Sequence, residues 1–326
     1  NDCAKKLYKA TGYDEISLSS LSISDYRNIE ELCDKLLEWT NDAKVNISLP
    51  SMRLDSFTKE LLEKISTVRN AGLTFAPEAG TQRLRDAINK NVTEEDLLKA
   101  CRTAFEAGKS QVKLYFMLGL PTETDEDLEG IAKLAKRVVD TYYDVMRGVR
   151  GKKSPKVTIS CACFIPKPFT AFQWEAQSTL EELDRKQKYV LSKIDDPKVV
   201  FNYHDADGSR IEAVFARGDR KLSKALLEAR RRGIRFDSWD EYFDYNAWCE
   251  VFDACGIDPA FYANREFGEN EVLPWDIIDC GVTKSFLLRE RHNAYDSKTN
   301  RNCAEQCTGC GANRLGGERT WCPKQN

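Results

Sequence analysis

Short β-rich runs alternate with amphipathic helical runs from residue 14 to about residue 194, and few architectures accept that order. The strand candidates are EISLSSL from Glu15, VNISL from Val45, LTFA from Leu73, VKLYFML from Val112 and VTISCACFI from Val157. Between them apolar residues recur at helical spacing. Ile29, Leu32, Cys33, Leu36 and Leu37 make one stripe, Leu97, Leu98, Cys101, Ala104 and Phe105 a second, and Leu128, Ile131, Leu134, Ala135, Val138 and Val139 a third. Helix-start chemistry agrees: Thr93 precedes EEDLL, and Thr179 stands three residues before Glu182 in capping-box spacing. Strict alternation predicts parallel strands joined by helical crossovers, because a tight turn cannot join a parallel pair.

In such folds the functional site lies at the carboxyl ends of the strands, whether the sheet is open or closed into a barrel. Those ends are polar here: Ser19, Ser20 and Ser22 after the first strand, Ser51 and Arg53 after the second, Glu78 after the third, Gly119, Pro121, Thr122 and Glu123 after the fourth, and Lys167 after the fifth. Loops are commonly polar, but five polar loops at one rim point to a ligand site. Beyond residue 196 the character shifts to a short strand, VVFNY, and then aromatic-rich helices joined by Gly and Asp turns. The expected organisation is therefore a barrel-like region over 1–196, a mainly helical region over 197–282, and a helix with a cysteine-rich tail over 283–326.

Composition narrows the function classes. The 326 residues are 41% hydrophobic and 31% charged with a net charge of −3, so neither wholesale disorder nor global attraction to nucleic acid is expected. No apolar run approaches the ~20 residues that span a bilayer, and the first residues lack the apolar centre of a secretory signal. A cytoplasmic chain without a membrane partner is expected. Twelve cysteines spread unevenly through a chain of this size fit reduced thiols and a metal site better than a disulfide scaffold.

Several features carry a bland reading beside the functional one. Cys33, Cys101, Cys249 and Cys255 read as small buried hydrophobes. Cys161 and Cys163 alternate along one strand and so share a face, which fits packing or a barrel interior. His204 beside Asp205 and Asp207 reads as an acid-base group or as loop polarity. The Arg217–Arg235 segment, with eight basic residues, is either a solvated helix face or a phosphate-contacting surface for RNA.

The tail carries the sharpest motif. Cys303, Cys307 and Cys310 stand in C-x3-C-x2-C spacing, and Cys322 supplies a fourth thiol, with Cys280 as a substitute. Four thiolates suit a tetrahedral zinc site or a fully ligated auxiliary [4Fe-4S] cluster, and a metal-free tail remains the bland alternative.

The stretch LTFAPEAGTQRLRDAINKNVTEEDLLKA followed by VKLYFMLGLPTETDEDLEGI resembles the middle of the radical S-adenosylmethionine (SAM) superfamily barrel. More narrowly, SLSSLSISDY, SLPSMRLD, FIPKPFTAFQW and EAVFARGDRKLSKALLEA resemble the family in which a cobalamin-binding domain is fused to a radical SAM domain. The resemblance implies an α/β fold containing part of a (β/α)6-type barrel. It also implies SAM and a [4Fe-4S] cluster as cofactors, with cobalamin as a further candidate. Ser19 and Ser20 would lie where the family contacts the SAM amino group, Arg53 and Glu78 would face ribose or carboxylate, and the turn holding Gly119, Pro121 and Glu123 would pass near the adenine.

The family's C-x3-C-x2-C loop follows its first barrel strand, whereas the only such spacing here is at residues 303–310. The expectation is a chain that lacks that first unit and is inactive alone, with the catalytic cluster supplied by a missing amino-terminal portion or a separate chain. The intact enzyme would modify an unknown substrate by radical chemistry, such as methylation, rearrangement or sulfur insertion. The alternative is a non-catalytic metal-binding or partner-binding protein with a degenerate barrel.

Overall fold

The computed structural model describes residues 1–20, 26, 28–49, 73–301, 303 and 305–316. Two parallel sheets carry the amino-terminal half. In the first, β1 (Glu15–Ser17) pairs with β2 (Asn46–Ser48) in register Glu15 to Asn46. In the second, β3 (Leu73–Glu78), β4 (Gln111–Leu118), β5 (Lys156–Cys163) and β6 (Val199–Tyr203) follow one another in spatial order, all parallel. Among the described residues no pairing joins β2 to β3, so a parallel α/β sheet is established and closure into a barrel is not.

Helices fill every crossover that is described. After α1 (Asp2–Thr11), α2 (Ile29–Ala43) joins β1 to β2 and buries Cys33, Leu36 and Thr40 from the anticipated stripe. A short α3 (Gln82–Ala87) and α4 (Glu94–Glu106) follow β3, α5 (Asp125–Val145) follows β4, and α6 (Leu180–Ser192) follows β5. Thr93 caps α4 through a reciprocal box with Asp96. Thr179 caps α6 from one side only: its hydroxyl accepts from the Glu182 N–H, while the Glu182 carboxylate turns to Arg185 at 2.8 Å. A nearby guanidinium outcompetes the cap backbone for that carboxylate.

The main core lies between the β3–β6 sheet and these helices. Val112, Leu114, Phe116 and Leu118 alternate down β4 onto Leu97, Cys101, Leu128, Ile131, Leu134 and Val138. The sheet runs on to Tyr203, past residue 196, where the change of composition marks a boundary. VVFNY reads from the sequence as a short strand beyond that boundary, and Val157 to Cys161 hold it in register with the sheet along its whole length.

The carboxyl-terminal half is helical: α7 (Ala206–Ala216), α8 (Ser223–Arg231), α9 (Tyr245–Ala254), α10 (Pro259–Ala263) and α11 (Lys284–Tyr295). Ile211, Val214, Trp248, Phe252 and Tyr262 form a second core, and Trp174, Phe267, Leu273, Trp275 and Leu287 a third. Trp174 comes from the loop after β5, so that loop is pinned beneath α11. Glu175 in the same loop binds Arg291 at 2.6 Å and Tyr295 at 2.8 Å. No described helix is long and apolar enough to cross a membrane.

Candidate functional site

Each strand of a sheet presents alternate residues to opposite faces, so covering one face with helices leaves a second set free for another use. Here the second set is polar. In register across the sheet run Thr74, Lys113, Thr158 and Val200, then Tyr115, Ser160 and Asn202, then Met117 and Ala162. Tyr115, Val200 and Asn202 are exposed, and the Lys113 ammonium sits 4.6 Å from the centre of the Tyr115 ring. A hydroxyl-, amine- and amide-bearing face is costly in a core and suited to a polar ligand.

The carboxyl rim above that face is tightly bolted. Glu78, the last residue of β3, has φ of 68°, and Thr122 in the turn after β4 has φ of 65°. Left-handed backbone at two side-chain-bearing residues is strain held in place by its surroundings, a pattern that concentrates at functional sites. Asp127, at the start of α5, supplies much of that hold. Its carboxylate accepts from the Thr124 N–H at 2.8 Å, the Thr124 hydroxyl at 2.9 Å, the Thr81 hydroxyl and the Arg83 guanidinium. Arg83 also donates to the Thr122 carbonyl at 2.9 Å, so the loops after β3 and β4 are joined. Burial opposes ionisation of Asp127, but the bonds from Thr81, Thr124 and Arg83 outweigh it and hold the carboxyl below its ordinary range.

Glu123 is a second bolt. Its carboxylate accepts from the Gly119 N–H at 2.8 Å and from Lys186 Nζ on α6 at 2.8 Å, and both side chains of the pair are buried. Burial pushes its carboxyl up, while Lys186 and the Gly119 N–H pull it back. The turn from Gly119 through Pro121 is thus fixed by Glu123, whose Oε2 takes both bonds. A Cβ on Gly80 would meet the Asp127 carbonyl at 2.2 Å, and one on Gly130 the Gly80 carbonyl at 2.8 Å. Two glycines let the β3 loop touch the first turns of α5 backbone to backbone.

The sequence-derived candidates divide. Glu78, Gly119, Pro121 and Glu123 gather at this rim, with Glu78 paired to Lys90 at 3.3 Å. Ser19 and Ser20 are exposed at the end of β1. Arg53 and Cys322 lie outside the described residues. Asp127, Arg83 and Lys186 were missed, although Thr124 three residues before Asp127 repeats the capping spacing, and Lys113 and Tyr115 interrupt VKLYFML at alternate positions.

The bland readings hold for several others. Cys161 and Cys163 are buried, and burial pushes both thiols up, which makes them packing groups rather than nucleophiles. Asp205 caps α7 by accepting from the Asp207 N–H at 3.1 Å. Arg217 is wholly buried, donating to the carbonyls of Tyr262, Ala263 and Arg265 at 2.6–2.8 Å, so it does not lie on a phosphate-contacting surface. Arg231 and Arg232 share Glu228, and Arg232 also reaches Glu250. Arg220, Lys221, Lys224, Arg230 and Arg235 remain exposed, next to exposed Phe236, Trp239 and Tyr242.

The residues present do not fit a catalytic iron-sulfur cluster at the rim. Such a cluster takes three thiolates on one loop, and the rim thiols are the two buried on β5. Among the described residues no three His, Cys, Asp or Glu side chains converge as a metal would require. Cys303 is exposed and Cys307 and Cys310 are half-buried after α11.

The architecture is a parallel α/β sheet with one helix-covered face, one open face and a strained, cross-linked carboxyl rim. Residues 3–135 match the radical SAM superfamily model. An uncharacterised protein of Methanocaldococcus jannaschii is 35% identical over 227 residues, covering 68% of this chain and 46% of its own length. A threonylcarbamoyladenosine tRNA methylthiotransferase of Aquifex aeolicus is 20% identical, covering 71% of this chain and 54% of its own length. A ribosomal protein uS12 methylthiotransferase of Treponema denticola is 23% identical, covering 56% and 39% respectively. The chain thus spans about half or less of the length of these relatives.

Proposed function

We propose that this chain is the substrate-facing part of a radical SAM enzyme that modifies a macromolecule, with the thiolates of the catalytic cluster coming from protein outside residues 1–326. The polar sheet face carries the proposal: Lys113 and Thr158 on one rung and Tyr115, buried Ser160 and Asn202 on the next share one face and offer donors and acceptors for SAM and substrate. When bound, SAM and its cluster supply a carbon radical. The chain's own part is to hold the ligand against that face and to keep the rim fixed through Asp127 and Glu123. The cobalamin implied by the narrower resemblance belongs to this proposal, as does a metal at Cys303, Cys307, Cys310 and Cys322.

The methylthiotransferase relatives favour a tRNA or ribosomal substrate. Seven exposed cations over residues 220–235, two of them paired with Glu228, and three exposed aromatics after them supply phosphate contacts and stacking surfaces for single-stranded RNA. The competing reading, a partner-binding protein without radical chemistry, draws on the lack of a rim cysteine triplet.

The test is SAM cleavage by the longest polypeptide its gene encodes. Lys113→Met and Ser160→Val should lower 5′-deoxyadenosine formation by about tenfold or more, as loss of positioning contacts does, at unchanged iron content. Unaltered cleavage in both variants would remove the polar face from the site.

A further inference from the structure

A recess of about 180 Å³ opens between the end of α3, the loop after β5 and α11. It exists because Ala87, Ala171 and Ala294 stand at its walls, where larger side chains would close it. Phe172 and Phe286 give it aromatic surface, and Glu290 is its acid. Phe286, Glu290 and Ala294 follow one another at spacings of four along α11, which puts ring, carboxylate and gap on one face of the helix. Ile88 and Phe172 also pack against Leu84, Leu120 and Phe164, so the recess shares a wall with the carboxyl rim. One edge is held by Asn300: its N–H donates to Asn89 Oδ1 at 2.9 Å, its side-chain amide donates to Glu290, and its carbonyl accepts from Asn91 Nδ2 at 3.0 Å.

Size and polarity select the ligand class. Roughly 150 Å³ is enough for a benzene-sized ring, so the recess has room for one flat heterocycle, and phenyl walls favour an aromatic face. A carboxylate has about four lone-pair sites. At Glu290 two amides take one on each oxygen, Asn293 at 3.3 Å and Asn300, and Arg289 stands 3.6 Å from Oε1. An acceptor on each oxygen remains. Among the RNA bases only guanine sets two donors side by side, N1–H and the N2 amino group; adenine and cytosine place a ring acceptor beside their amino group, and uracil flanks its N–H with carbonyls. Exposed Lys298 also lines the recess and uses one of its donors on Asp296 at 2.7 Å, which leaves others for a phosphate. We propose that the recess binds a guanine base splayed out of single-stranded RNA, with N1–H and N2–H donating to the Glu290 carboxylate. The proposal rests on the reading of an RNA substrate and divides the labour within it: the recess reads a base, while the basic segment contacts phosphates without reading sequence.

The test measures binding of the whole chain, at fixed salt, to a uridine-only RNA oligomer and to the same oligomer with one central guanosine, adenosine or cytidine. The expected result is binding about tenfold tighter for the guanosine oligomer alone, the discrimination that one bidentate base contact provides. Glu290→Gln, which turns one acceptor into a donor, and Ala171→Phe, which fills the recess, should each lose that preference and still bind the uridine-only oligomer. GMP alone should bind at least about tenfold more weakly than the guanosine oligomer, because it lacks the neighbouring phosphates; equal affinity would assign the recess to a free guanine nucleotide and overturn the RNA assignment. Equal affinity for all the oligomers overturns the base assignment and leaves the RNA reading standing, as does a guanosine preference that survives in both variants. Failure of wild type to bind any oligomer overturns the RNA reading and this inference with it.

Discussion

At the residue scale, Asp127 controls the rim. Its side chain is almost fully buried and ends on Thr81, Arg83 and Thr124, so Asp127→Ala removes a helix cap and the tie between two loops at once. The expected cost is about 2 kcal/mol, since a cap is worth about 1 and a charge-assisted bond somewhat more. Because the folded carboxyl is held below its ordinary range, its stabilisation is complete above the unfolded aspartate range and is lost as pH falls through the depressed folded value. Urea midpoints of wild type and variant should therefore differ by a constant amount between about pH 5 and 8 and converge in acid. A gap that widens in acid would contradict this. That Glu78, Gly119, Pro121 and Glu123 stand at strand ends was legible in the sequence, because the β-rich runs stop there. The loop-joining roles of Asp127 and Lys186 were not, because Arg83 and Glu123 lie 44 and 63 residues from them along the chain and only the folded sheet brings them together.

At the element scale, hydrophobic period alone located β1 to β5 and the helices between them, since each stripe faces one sheet. Alternation within β4 also marked the polar face: Lys113 and Tyr115 break an apolar run at positions outside the helix-covered core. What the pattern could not give was the extent of the sheet, because β6 is short, half-exposed and held by pairing with β5 rather than by its own apolar content. The contact between the β3 loop and α5 depends on two glycines. Gly80→Ala forces a methyl group into the Asp127 carbonyl and the Ile131 N–H, at 2.2 and 2.4 Å, and neither backbone atom can rotate away. Destabilisation of about 3 kcal/mol is expected in a thermal or urea melt. A stability equal to wild type would show that the loop does not sit on α5.

At the scale of the whole molecule, the proposal assigns ligand contacts to the parallel sheet and RNA contacts to the carboxyl-terminal helices. The exposed Arg220–Arg235 cations and the aromatics after them predict RNA affinity that falls as salt rises. Replacing Arg230 and Arg235 by Glu should weaken it and reduce the slope against log salt by about 1 to 2. Binding indifferent to both salt and variant would exclude that surface. Arg217, counted with this group by sequence, is a core residue; only the fold reveals that its charge is spent on three carbonyls. The central claim is that this sheet serves radical SAM chemistry with cluster thiolates from outside residues 1–326. The most direct measurement is 5′-deoxyadenosine formed from SAM by the 326-residue chain, reconstituted with iron and sulfide and reduced with dithionite. The account predicts none above the uncatalysed background, and formation by that chain, lost in Cys307→Ala, would contradict it by making the terminal cysteines catalytic.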